Sequence, residues 1–362
     1  MQQVFAMPEK RKKPVILGTD WHTDCDDAVA IRILAWHQWK GCVHLLGVSI
    51  DSAMACSAAS MRTFLAHERL TGVPVGLDHQ ATDYGGVTRY QPRLAAGMDW
   101  EAENRSCEEA VRLYRRLLAE ARQPVTLIEI GFLQVLEALM DSGPDDLSPL
   151  SGRELIASRV SELWVMGGRW DGADQPEFNF SKIPRASRAA HRVLEGWPGE
   201  VTLLGWEAGC SVYSGGVLER ACAWDDALKT VLRDHGAASG RPSWDPLLVW
   251  MACLGDPARA GFDTVRGWAR ANAADGRTHF VPDPAGRHRY VVRRCSDAVY
   301  GEQLDRMILG YSRHLHTLEP APETVLEYKN KKRREKSNET PVHPRPAADA
   351  GPDAVGVGPS VL

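Results

Sequence analysis

The sequence predicts an α/β fold, an open, mostly parallel central sheet with helices on both faces and a Rossmann-like core. Three observations predict it. Apolar runs of strand length alternate with amphipathic stretches of helix length through most of the chain, as in a parallel sheet joined by crossover helices. The first apolar run, PVILGT, is continuous and β-branched, which reads as a buried strand. Four aspartates (Asp20, Asp24, Asp26 and Asp27) fall within eight residues directly after it, at the strand edge where open α/β sheets bind ligands.

Taken in order, the stretch beginning DDAVAIRIL reads as the first helix and CVHLLGVSI (42–50) as the second strand. MACSAASMRTFLAHERL is a helix and TGVPVGL a short third strand, while the Gly-, Pro- and polar-rich segment 80–105 reads as a long loop. EEAVRLYRRLLAEAR is a helix, PVTLIEI (124–130) a strand, and GFLQVLEALM starts a helix at once. SELWVMGG (161–168) and EVTLLGW (200–206) repeat the strand pattern. Beyond about residue 245 come a helix (DPLLVWMACLG), an expected hairpin over THFVPDPAGRHRYVVRR, and a last helix (DAVYGEQLDRMILGYSRHL). The domain expected is 14–327, behind an N-terminal extension, 1–13. From 328 the basic run KNKKRREK and the Pro-, Ala- and Gly-rich remainder read as a disordered, solvated tail, 328–362.

The bulk properties exclude some classes. A net charge of −4 speaks against a general nucleic-acid binder. There is no apolar run of membrane length and no signal-peptide pattern, so no membrane partner is expected and the expected location is the cytoplasm. The eight cysteines are scattered without a CxxC pair and read as reduced, mostly buried thiols rather than a zinc site or a disulfide framework.

The acidic loop carries the chemistry. Like charges at this density repel unless a proton or a cation compensates them, and a divalent, oxygen-loving metal is the simplest solution. Helix capping and the helix dipole account for one or two of the four aspartates. The central glycine and closing glutamate of an EF-hand are missing.

TDWHTDCDDAVAI, from Thr19 to Ile31, resembles the N-terminal signature of the inosine–uridine-preferring nucleoside hydrolases. The resemblance continues, in order, through VTLIEIGFLQVL, LWVMGGRW, PEFNF, GWEAGCSVYSGG and SWDPLLVW, and covers about residues 14–315. It implies a calcium-dependent N-glycoside hydrolase acting on a ribonucleoside or related N-riboside. By the same resemblance Asp20, Asp27, the backbone carbonyl of Ile130 and Asp245 hold the calcium. Asp20 is also the catalytic base, Asp26 holds a ribose hydroxyl, Glu177 and Asn179 bind the rest of the sugar, and Met166 lines the ribose site. Relatives are dimers or tetramers, so a homo-oligomer is expected.

The chain departs from the pattern at five places. Gly18 stands where the family usually has an aspartate, so part of the hydrogen bonding behind the metal is expected to be missing. His22 replaces a glycine, where it either bends the loop or brings an imidazole to the substrate. Asp51 is the nearest candidate for a missing asparagine. Ile183 replaces an aspartate before Pro184. Trp244 stands in place of a histidine that can protonate the departing base. An indole N–H has negligible acidity, so Trp244 implies aromatic stacking, a leaving group that needs no proton, or a packing role. Two other readings stay open: a ribosyl-ligand-binding protein without efficient turnover, and a D-x-D phosphatase using Asp24 and Asp26. The phosphatase expects its first aspartate at the strand tip, where Asp20 stands.

Overall fold

The structure, a computed structural model, describes residues 12–318. The expected tail 328–362 and nearly all of the extension 1–13 lie outside the described residues. A ten-stranded sheet is built from β1 (Lys13–Thr19), β2 (Val43–Ile50), β3 (Val75–Leu77), β4 (Glu108–Glu109), β5 (Val125–Glu129), β6 (Val160–Met166), β7 (Val201–Leu204), β10 (Phe262–Ala271), β11 (Thr278–Pro282) and β12 (His288–Arg293). A separate ribbon pairs β8 (Tyr213–Ser214) with β9 (Arg241–Pro242).

The order across the sheet is β11-β10-β12-β7-β6-β5-β1-β2-β3-β4. Every pairing from β12 to β4 is parallel, and only β10 runs antiparallel to its neighbours. The predicted mostly parallel α/β sheet is therefore observed. Two local expectations are corrected. The segments 278–282 and 288–293 do not pair with each other; β10 lies between them and bonds to both, and β12 lies parallel beside β7. The segment 80–105 is not a continuous loop, because Gln91–Leu94 and Trp100–Arg105 are short helices.

Strand alternation divides β1 between two cores. Val15 and Leu17 pack with the helices Asp26–Trp39, Ser57–His67, Trp244–Leu254 and Asp297–Thr317. Ile16 faces the other way, toward the helices Ala110–Glu120, Gln134–Asp141 and Pro184–Gly196. Strand order reverses between β1 and β5: the chain runs outward from β1 through β2, β3 and β4, and in the other direction from β5 through β6 and β7. The carboxyl ends of two such strands leave a crevice between their departing loops. The acidic loop leaves β1 there, and Ile130 leaves β5 beside it.

Candidate active site

The loop from β1 into the helix Asp26–Trp39 is held by its own backbone. Trp21, in its middle, has φ +42°, a left-handed conformation that is strained for a bulky residue. Surrounding contacts fix it. Its N–H donates to Thr19 Oγ1 at 3.1 Å, its indole Nε1 donates to Ser60 Oγ at 2.8 Å, and its ring packs on Phe64 and Tyr90. The turn aims Asp20 and Asp27 inward. Asp20 Oδ1 accepts the His22 N–H at 3.3 Å, and Thr19 Oγ1 donates to Asp27 Oδ1.

These residues open onto a cavity of about 330 Å³. Asp20, Asp26, Asp27, Ile130, Met166, Glu177, Asn179, Trp244 and Asp245 all line it, so the structure brings together residues that stand as much as 225 positions apart in the sequence (245 − 20). Carboxylate oxygens of Asp26, Asp27 and Asp245 lie within 4.8 Å of one another. Burial, then the neighbouring aspartates, pushes Asp20, Asp26 and Asp245 well above the usual carboxylate range. Burial likewise raises Asp27 to about 6, against the hydrogen bond from Thr19. Carboxylates packed this closely need a proton or a cation to compensate them, and Asp26, Asp27 and Asp245 have the donor atoms to hold a metal ion. The donors are all hard oxygens, which suits calcium or magnesium rather than a soft metal.

Beside them, Glu177 caps the short helix Phe178–Ser181: Oε1 accepts the Asn179 N–H at 2.8 Å, and Oε2 accepts those of Gly168 at 3.0 Å and Phe180 at 3.3 Å. Burial raises Glu177 to about 7 despite these bonds. Asn179 Nδ2 lies 3.2 Å from the carbonyl oxygens of Ile130 and Met166 and from Met166 Sδ, which fixes the amide and leaves its oxygen to accept a further bond.

The remaining lining residues are His22, Thr23, Asp24, Phe178, Trp206 and Arg241. Phe178 and Trp206 are 46% and 38% exposed and form an aromatic mouth above the buried carboxylates. Arg169 lies over the Trp206 ring at 4.4 Å. Trp244 Nε1 donates to the Trp206 carbonyl at 2.7 Å, so its indole N–H is taken. Trp170 does not line the cavity; it packs on Phe280 and Tyr290. Arg241 binds Asp24. Phe178 and Arg241 were not singled out from the sequence, and Arg241 finds Asp24 across 217 positions.

The sequence departures have defined places. His22 Nε2 contacts the Gly85 carbonyl, which only accepts, so Nε2 carries the proton; Nδ1 is buried without a partner. The imidazole thus ties the 78–90 segment to the acidic loop and offers no free N–H to a ligand. Asp51 is fully buried and is not among the lining residues. Ile183 begins the helix Pro184–Gly196 without a side-chain cap and packs on the cluster of Ala81, Tyr84, Phe132 and Ala186. The space above Gly18 is filled by Glu129, whose Oε2 stands 2.0 Å from where a Cβ on Gly18 would lie. A second group, Asp24, Cys25 and His235, also brings its ligand atoms within 4.8 Å. Asp24 already has Arg241 as its counter-charge, and burial holds the Cys25 thiol above its usual range.

No protein-family model and no curated protein sequence matches the chain. Solved structures do. The inosine-uridine preferring nucleoside hydrolase from Bacillus anthracis superposes with a TM-score of 0.58 at 17% identity, over 84% of this chain and 100% of that one. The type III effector protein XopQ, complexed with adenosine diphosphate ribose, gives 0.62 at 17% identity, over 83% and 94%. An inosine-guanosine nucleoside hydrolase gives 0.60 at 14% identity, over 82% and 99%. The chain has the nucleoside hydrolase-like fold.

Proposed function

We propose that the protein hydrolyses the N-glycosidic bond of a ribonucleoside or related N-riboside, releasing base and ribose, with calcium held by Asp20, Asp27, the Ile130 carbonyl and Asp245. The observation that carries this reading is one cavity with buried carboxylates below and an aromatic mouth above. Such a cavity matches a ligand with a polyhydroxylated ring at one end and a flat heterocycle at the other. A hard cation held among the carboxylates would neutralise them and would acidify a water.

The chain's own groups supply the rest. Asp20, oriented by the His22 N–H, takes the proton of the attacking water. Asp26 and the free oxygen of Asn179 accept ribose hydroxyls, and Glu177, with both oxygens fixed by backbone N–H groups, lines the same end of the cavity. Bond cleavage leaves an oxocarbenium-like sugar, and the surrounding carboxylates stabilise its charge. The indole of Trp244 and Nε2 of His22 are both occupied, so neither protonates the leaving base. The base stacks on Phe178 and Trp206, and leaving groups that need no proton are favoured, since general-acid help is typically worth about 10²–10⁴-fold.

The test is ribose release from purine, pyrimidine and nicotinamide ribosides, with calcium and with excess chelator. Calcium-dependent release is expected, and Asp20→Asn should lower it by about 10²–10⁴-fold. An unchanged rate in that variant excludes Asp20 as the base. A second reading, ribosyl-ligand binding without turnover, is favoured by the occupied N–H groups of Trp244 and His22 and by the adenosine diphosphate ribose held by the effector neighbour. Saturable binding of that ligand, with no ribose released from any riboside, would replace the first reading by the second.

A further inference from the structure

Gly18 on β1 and Glu129 on β5 are register partners on adjacent parallel strands. A Cβ on Gly18 would stand 2.0 Å from Glu129 Oε2, 2.5 Å from Oε1 and 2.5 Å from Cδ. The Glu129 carboxyl group therefore occupies the volume of a side chain at position 18. It is 1% exposed and points behind the acidic loop rather than into the cavity. Its Oε1 accepts the Gly131 N–H at 3.2 Å. Gly131 in turn abuts the loop: a Cβ there would lie 2.3 Å from the Asp20 nitrogen and 2.7 Å from Asp51 Oδ2.

Glu129, Gly131, Asp51 and the Asp20 backbone thus form one dry layer under the candidate cation site. Among the described residues, neither oxygen of Asp51 nor Glu129 Oε2 has a hydrogen-bond partner, and the Tyr114 hydroxyl lies beside the Glu129 carboxyl. Burial, then the charge of Glu129, pushes the Asp51 carboxyl up. A buried glutamate at the end of a mainly apolar strand, directly before Ile130, is costly unless its oxygens are hydrogen-bonded.

We propose that Glu129 is a positioning residue, whose carboxyl group reaches across from β5 to give the Asp20 loop and the Ile130 carbonyl the support that a side chain at position 18 would give from β1. The inference rests on the reading of the cavity as a calcium site. Outer-shell partners of metal ligands commonly change metal affinity by about 10–100-fold.

The experiment is a calorimetric calcium titration of the full chain, alone and as Glu129→Ala, Gly18→Asp and the double variant Gly18→Asp/Glu129→Ala. Glu129→Ala should weaken calcium binding about tenfold or more. Gly18→Asp alone should also weaken it, because two carboxyl groups then claim one volume. The double variant should recover to within about threefold of the unaltered protein, because the carboxyl group is restored from the other strand. Unchanged affinity in Glu129→Ala, or a double variant no tighter than Glu129→Ala, overturns the proposal and leaves the calcium site standing. No calcium binding by the unaltered protein removes the site and the proposal together. If Glu129→Ala does not fold, the double variant decides: folding with calcium binding supports the transposition, and failure to fold overturns it.

Discussion

One helix, Asp26–Trp39, faces two groups of buried carboxylates, and they are compensated in opposite ways. In its middle, Arg32 is fully buried and binds Glu68 through Nε and Nη2, at 2.5 and 2.6 Å, and Asp226 through Nη1 and Nη2, at 3.1 and 3.0 Å. Ser312 Oγ adds a bond to Asp226 at 2.6 Å. Arg32 overcomes burial and holds Asp226 below the usual carboxylate range; Glu68 stays raised by burial, which Arg32 only partly offsets. At the start of the same helix, Asp26 and Asp27 meet Asp20 and Asp245. There the guanidinium that lines the cavity, Arg241, already binds Asp24. The chain places a cation of its own where the carboxylates hold the fold together, and leaves the charge open where a cation can enter.

The largest test of that contrast is to open the closed group. Arg32→Met leaves Glu68 and Asp226 buried without their cation, and breaking a buried pair from one side costs about 3–5 kcal/mol. Urea unfolding should show that loss with and without calcium. A loss below about 1 kcal/mol would mean that water reaches the group and that the two sets of carboxylates do not differ in kind.

The second test closes the open group. Asp245→Asn removes one of the converging charges. In chelator the variant should be more stable than the unaltered protein by about 1 kcal/mol, roughly one pK unit of relieved repulsion. At calcium about 100-fold above its dissociation constant the unaltered protein should gain about 2.7 kcal/mol, and Asp245→Asn should gain almost none. An equal gain in both would remove Asp245 from the ligand set.

The open group was the more legible of the two in sequence. Four aspartates in one short loop announce themselves because local charge density is a property of the sequence, and the strand-then-helix pattern places them at a sheet edge. Arg32 gave no such signal, since its partners lie 36 and 194 residues away. Glu129 was hidden for a similar reason. PVTLIEI reads as an apolar strand, and the glutamate acquires meaning only from its register with Gly18. The hairpin expected over 278–294 followed from two strand-like runs around a Pro- and Gly-rich turn. FDTVRGWARA, broken by Asp263, Arg266 and Arg270, did not announce the strand that separates them. Trp244 was legible as a departure from a pattern, but not its bond to the Trp206 carbonyl, which depends on how two distant loops meet.

The smallest expected effect has a sign that again separates the two groups. Asp226 has a folded pKa below the ordinary value of 3.8, so its stabilisation is present above that value and is lost as pH falls through the lower, folded one. At the open group the order is inverted. Asp27 is raised to about 6, and Asp20, Asp26 and Asp245 are raised as well. Between the ordinary value and the raised one the folded state binds more protons than the unfolded state, so stability falls as pH rises. In chelator, unfolding free energy should fall steadily as pH rises from about 4 to about 6. Calcium binds the deprotonated carboxylates and should flatten or reverse that slope. The same slope with and without calcium would show that these carboxylates are not where the cation binds, and the contrast along the helix would then be one of packing alone.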